Sequence, residues 1–224
     1  MNLYGSYAAI KFILKITYQR YLMTIPNMEN IMSHPYNANP NYPMNEGLLI
    51  DINLHLDQVF SSRSKLLPFR MDFSWRKDTF RFEKGTLSDI ENDIEMLVAS
   101  LPAGTVEGYY WVAEFAESKH HHIHAVFYAN GQAHQKSYPI SRLIGGLWQQ
   151  LTNSEGFFHI CEPQDKFEFN LGKVVDHRDE TAIDGIRYVI SYLAKDVQKP
   201  FGVISGCNVP LPPSGRGRPR NPRL

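Results

Sequence analysis

Cysteine is scarce in this chain. Cys161 and Cys207 are the only two in 224 residues, and no C-x-x-C pair occurs. That excludes a disulfide framework and a zinc knuckle, and it suits a reducing cytosol. Net charge is missing too, since 23 Lys and Arg balance 23 Asp and Glu. No overall basic field marks the chain as a nucleic-acid binder, so any such role must rest on local charge. No apolar run reaches the roughly 20 residues that a membrane-spanning helix needs. The stretch from Tyr7 to Met23 is apolar but broken by Lys11, Lys15 and Arg20. It lacks a small-residue cleavage site and fits a secretory signal poorly. It reads either as an amphipathic helix or as sequence ahead of a start at Met23 or Met28. There is no G-x-x-x-x-G-K-[ST], so the chain carries no P-loop motor, and no internal repeat.

What is present is one core's worth of apolar residues, 43% of the chain. Residues 24–46 hold Pro26, Pro35, Pro40 and Pro43 among several asparagines, which makes an N-terminal arm rather than a packed element. Apolar spacing predicts a helix over Glu46 to Phe60. Lys65 to Trp75 reads as a strand with Pro68 near its start. Thr86 to Leu101 is the clearest helix, with Thr86 or Ser88 as cap, acids in its first turns and Pro102-Ala103-Gly104 at its end. A second helix is expected over Ser141 to Leu151, where Gly145-Gly146 suggests close packing. A short strand follows at Gly156 to Cys161, with another candidate at Lys166 to Leu171. A last helix runs from about Thr181 to Val197, stopped by Pro200, with Ile183, Ile186, Ile190, Leu193 and Val197 as its buried stripe.

Without the outer helices the order is β-α-β-β-α-β. That is an α+β pattern suited to a ferredoxin-like or RRM-like antiparallel sheet with helices mainly on one face. The domain reading is an N-terminal helix and Pro/Asn-rich arm over residues 1–46, one folded domain over 47–205, and a Pro/Arg-rich tail over 206–224. The last eleven residues carry four arginines and no acid. Arg216-Gly-Arg218-Pro-Arg220 is either an AT-hook-like core for a narrow minor groove or an unstructured basic tail that binds phosphates non-specifically.

Chemistry concentrates in the two strands of the middle. Gly108 to Ala116 is rich in Tyr, Trp, Val and Phe, and a turn over Glu117-Ser118-Lys119-His120 leads into His122-Ile123-His124. Side chains alternate along a strand, so His122 and His124 share one face while Ile123 enters the core. Two imidazoles on one face can reach a single metal ion. If Glu114 lies across from His124, its carboxylate joins them, and a one-residue slip would send it to the other face. The competing reading is a solvated histidine cluster. A second constellation lies in Tyr188-Val-Ile-Ser-Tyr192-Leu-Ala-Lys195. At about 100° per residue, Tyr188, Tyr192 and Lys195 share one helical stripe, off the apolar one. Tyrosines on a helix usually pack, but these stand beside a lysine.

The ordered set Arg70-x-Asp72, Trp111-x-x-Glu114, His122-x-His124 and Tyr192-x-x-Lys195 resembles the HUH endonuclease superfamily. Within it, the chain is most similar to the inovirus replication-initiator family (the YagK/YfjJ type), over about residues 34–205. That resemblance implies an HUH-type fold on the sheet described above. It implies a single-strand DNA endonuclease and transferase, starting rolling-circle replication of a phage, prophage or related mobile element in the cytoplasm of a bacterial host. Tyr192 would be the nucleophile with Lys195 beside it, and Tyr188 would serve a second transfer or simply pack. His122, His124 and Glu114 would hold a divalent ion, Mg2+ or Mn2+, with Asp72 near it. Arg70 would contact DNA, as would the tail arginines Arg216, Arg218 and Arg220. The implied partners are single-stranded or hairpin origin DNA and a separate helicase. A descendant that keeps this fold but no longer cuts, and acts as a DNA-binding prophage protein, is the alternative.

Overall fold

The computed structural model describes residues 36–211; the stretch from Tyr7 to Met23 and the tail arginines Arg216, Arg218 and Arg220 lie outside the described residues. α1 spans Glu46–Ser62, β1 Lys65–Trp75, α2 Phe80–Lys84, α3 Leu87–Ala99, β2 Gly108–Ala116 and β3 His120–Asn130. Then come α4 Tyr138–Leu151, β4 Gly156–Ile160, β5 Val175–Asp176, α5 Glu180–Ile190, a 3-10 turn Ser191–Ala194 and β6 Ile204–Cys207. The strands form one six-stranded antiparallel sheet in the order β4-β1-β3-β2-β6, with β5 pairing the start of β1. The fold is α+β. No described helix is long and apolar enough to cross a membrane.

The expectation of helices mainly on one face is not met, because both faces are covered. Leu67, Phe69, Met71 and Phe73 of β1, with Ile123, Ala125 and Phe127 of β3, pack under Ile90, Ile94 and Leu97 of α3 and Ile144 and Trp148 of α4. The alternate positions, Leu66, Tyr110, Val112, Val126 and Tyr128, pack under Ile52, Leu56 and Val59 of α1 and Ile183, Ile186 and Ile190 of α5. A strand with apolar partners on both sides is buried along its whole length, as β3 is from His122 to Ala129. The helices flanking the β-α-β-β-α-β core therefore supply the second layer.

Local signals explain the elements. Asn45 caps α1 by accepting from the Leu48 amide at 3.0 Å. Thr86 and Asp89 form the reciprocal capping box of α3. α4 starts a turn earlier than expected, at Tyr138, with Pro139 in its first turn. Gly145 is needed there, since a Cβ would lie 2.4 Å from the Phe158 ring; Gly146 meets open space. The strand expected at Lys166 to Leu171 does not form. The Asn170 side chain instead closes a loop, accepting from the Gln164 amide at 2.9 Å and donating to its carbonyl.

The last helix ends earlier than its spacing suggested, and the arm is the reason. The Ser191 hydroxyl donates to the Tyr188 carbonyl at 2.7 Å and accepts from the Asn39 amide at 3.0 Å. Asn45 donates its amide to the Ala194 carbonyl, and Asp196 donates to that of Pro43, both at 2.8 Å. These bonds satisfy the helix end and tighten it into a 3-10 turn. Val197 consequently leaves the buried stripe and is exposed. The described part of the Pro/Asn arm is thus irregular but packed. At the other end, β6 pairs with β2 through Cys207, so the sheet runs past the domain edge expected at residue 205.

Candidate metal centre and tyrosine site

The α1/α5 face of the sheet is apolar at one end and polar at the other. At the polar end, β2 supplies Glu114, β3 supplies His122 and His124, and β1 supplies Arg70 and Asp72. The register places Glu114 directly opposite His122, and His124 opposite Val112. The expected partner of Glu114 was His124, so the pairing differs by one step of two residues. The even offset keeps all three side chains on one face. They are buried, with ligand atoms all within 4.8 Å of one another. The solvated-cluster reading of these histidines therefore fails for His122 and His124.

The hydrogen bonds fix how the imidazoles face. Nδ1 of His124 lies 2.6 Å from Asp72 Oδ1, and Nδ1 of His122 lies 3.0 Å from the His120 carbonyl. Both partners only accept, so each Nδ1 donates, which leaves each Nε2 as the nitrogen that could ligate an ion. Those nitrogens point at one oxygen, Glu114 Oε2, at 3.7 Å from His122 and 3.3 Å from His124. His124 Nε2 has no hydrogen-bond partner although it is buried. Two imidazole nitrogens and a carboxylate oxygen gathered this closely make a cation's donor set, and the Lys195 ammonium already bonds that oxygen. Ligands about 2.1 Å from one ion lie about 3–3.5 Å apart, close to what is seen. Donation of the rear nitrogen to a carboxylate or a carbonyl is how metal-binding histidines are held. The donor set fits a divalent cation. Asp72 does not join the three; it steadies His124 from behind.

Burial pushes the Glu114 carboxyl up, but attraction to His124 and to the Lys195 ammonium outweighs it and holds it at about 2. Burial lowers His122 to about 4, with the His120 carbonyl opposing, so this imidazole is neutral at pH 7. Asp72 is held well below the carboxylate range, since bonds from His124 and Arg70 overcome its burial.

The tyrosines separate. The Tyr192 ring stands edge-on to His124 with centroids 5.1 Å apart, and the Arg70 guanidinium lies 4.6 Å over its centroid. Lys195 Nζ lies 4.1 Å from the same centroid, and Tyr42 of the arm packs edge-on at 5.6 Å. Burial raises the Tyr192 phenol to about 12, with Arg70 pulling the other way. Tyr188 instead packs against Phe169, with centroids 5.1 Å apart. The single stripe expected for Tyr188, Tyr192 and Lys195 is broken by the 3-10 turn. Arg70 is largely buried and engaged with Asp72 and Tyr192.

Two cations reach the carboxylate. Lys195 is buried and bonds Glu114 Oε2, and Lys199 donates to Oε1 at 2.9 Å. Sequence reasoning missed Lys199. It lies outside every periodic element, in a loop held to β2 where Phe115 donates its amide to the Gln198 carbonyl at 2.9 Å. Tyr42 was missed for a similar reason, sitting in an arm with no repeating pattern. No family model, no curated protein and no solved structure matches the chain.

Proposed function

We propose that the protein is a metal-dependent single-strand DNA nicking and joining enzyme of the HUH type, which starts rolling-circle replication of a phage, prophage or related mobile element. The observation that carries this is the convergence of two imidazole lone pairs and a buried carboxylate beside the ring of Tyr192. The strand order β4-β1-β3-β2, with α3 and α4 across one face, is consistent with a ferredoxin-like unit and supports the same reading. His122, His124 and Glu114 would hold Mg2+ or Mn2+, which when bound would polarise the scissile phosphate and offset its charge.

The rest falls to the chain. Tyr192 Oη attacks phosphorus, and a 5′-phosphotyrosyl ester forms as the bond to the 3′ oxygen breaks. The phenol gives up a proton and the departing 3′ oxygen gains one, so the balance is neutral and a free 3′-OH remains to prime synthesis. The ester is an exchange of one phosphodiester for another, so rejoining is the reverse step and needs no nucleotide. Arg70 and Lys195 flank the ring and can meet charge that develops there. Unwinding belongs to a separate helicase.

One observation favours a non-cutting DNA-binding protein of the same fold. Lys195 and Lys199 occupy both oxygens of Glu114, which satisfies the carboxylate without any ion. The deciding experiment is incubation with a pool of single-stranded and hairpin DNA and Mn2+ or Mg2+, read by denaturing electrophoresis. A covalent protein–DNA band is expected for the native chain and for Tyr188→Phe, and none for Tyr192→Phe with DNA binding retained. The reverse pattern exchanges the roles of the tyrosines, and no band with either metal leaves the non-cutting reading.

A further inference from the structure

At the end of β2 the sheet opens into a depression of about 560 Å3, walled by Phe115 and Glu117 on one side and by Asp196, Gln198, Lys199 and Phe201 on the other. Two of its lining residues, Phe115 and Phe201, are aromatic. Phe201, 60% exposed, stands 5.9 Å from both Phe115 and His121. The loop that forms it is held in place, since the Gln198 carbonyl accepts from Phe115 while Gln198 sits at φ 64. A non-glycine residue in the left-handed region costs free energy and marks a backbone shaped by its contacts. Lys199 belongs to both sites. It lines the depression, and its ammonium reaches Glu114 Oε1 at 2.9 Å.

We propose that this depression binds one unstacked nucleobase of a DNA single strand, next to the phosphate at the Glu114 centre, and favours bases that carry an exocyclic amine. The inference rests on the single-strand DNA reading above. Exposed aromatic rings stack on any base. The edge is what the two acids select. Glu117 and Asp196 are exposed, and neither is in an ion pair among the described residues. Their charge repels a phosphate, so the backbone runs outside the depression and the base enters it. Carboxylates accept from the amines of cytosine and adenine, and thymine offers carbonyl oxygens in their place.

The test is fluorescence anisotropy with labelled oligo-dC, oligo-dA and oligo-dT of equal length, on the full chain. The native protein should bind oligo-dC and oligo-dA more tightly than oligo-dT. Phe201→Ala should weaken oligo-dC and oligo-dA about tenfold with Mn2+ affinity unchanged. Glu117→Gln combined with Asp196→Asn should keep the affinity and erase the preference. Oligo-dT binding as well as oligo-dC, or Phe201→Ala binding like the native chain, overturns the proposal while the covalent-adduct experiment can still succeed. Absence of binding to all three oligonucleotides overturns it together with the single-strand reading.

Discussion

Glu114 is where the residue scale is most informative, because cations of two kinds compete for it. Its Oε2 faces both imidazole nitrogens and also the Lys195 ammonium. A divalent ion must displace that ammonium or push it aside. Lys195→Met is therefore expected to raise Mn2+ affinity by at least about tenfold, while lowering the stability of the metal-free protein, as a buried carboxylate loses a partner. Titration calorimetry and urea denaturation on the same sample read the two opposite shifts. Asp72→Asn acts from the other side of His124. The amide no longer fixes the Nδ1–H tautomer, and Mn2+ affinity should fall about 10–100-fold with the fold intact. Unchanged Mn2+ affinity in Lys195→Met would show that the ammonium does not compete for Glu114, and in Asp72→Asn that Asp72 does not support His124 as a ligand. His122, His124 and Glu114 were legible because strand alternation sets the face of every residue once the register is even. Lys199 was not, because a loop has no period. Asp72 was legible as a neighbour but not as the group holding His124, which depends on which strand lies beside β3.

At the scale of elements, most boundaries followed from apolar spacing and caps. The capping box at Thr86 and the Asn45 cap are short-range features written in consecutive residues. The end of α5 is not legible from its own spacing, because the bonds that stop it come from Asn39, Pro43 and Asn45, far away in the chain. β5, with only two residues, and β6, with four, offered no pattern long enough to see. The paired glycines of α4 give a contrast within one helix. Gly145→Ala drives a methyl into the Phe158 ring, and overpacking of this kind typically costs about 1–3 kcal/mol, part of it returned by alanine's better helix propensity. Gly146→Ala meets nothing and should stabilise by about 0.5–1 kcal/mol. Urea midpoints moving in opposite directions are the expected result.

For the whole molecule, the missed feature was the second covered face. Tyr110, Val112, Val126 and Tyr128 alternate with residues of the other core, so the strands read as nearly continuous apolar runs, the signature of a sheet buried on both sides. Burial on both sides also places His55 of α1 inside, against Tyr110 and Tyr128. Burial lowers it to about 4, only partly opposed by Asn208. In the unfolded chain the same imidazole titrates near its ordinary value, so the unfolded state takes up a proton first as pH falls. Stability should then be full above about pH 6.5 and decline towards pH 4, with about 3 kcal/mol lost to this residue. His122 adds to the decline in metal-free protein, as do Glu114 and Asp72, whose lowered carboxyls lose their contribution as acid reaches them. Denaturation midpoints at pH 7 and pH 4.5 check this, and His55→Gln should flatten the profile.

The bonds between the arm and the 3-10 turn have a mechanical consequence. The turn bearing Tyr192 is a beam held at both ends: Ser191 and Ala194 are tied to Asn39 and Asn45, and Asp196 to Pro43. None of these ties involves a metal ligand. A chain begun at residue 46 keeps Glu114, His122 and His124 in their register but leaves the tyrosine on an unbraced span. Such a chain should load Mn2+ normally, and its amide protons at Lys195 and Asp196 should exchange with solvent far faster than in the full chain.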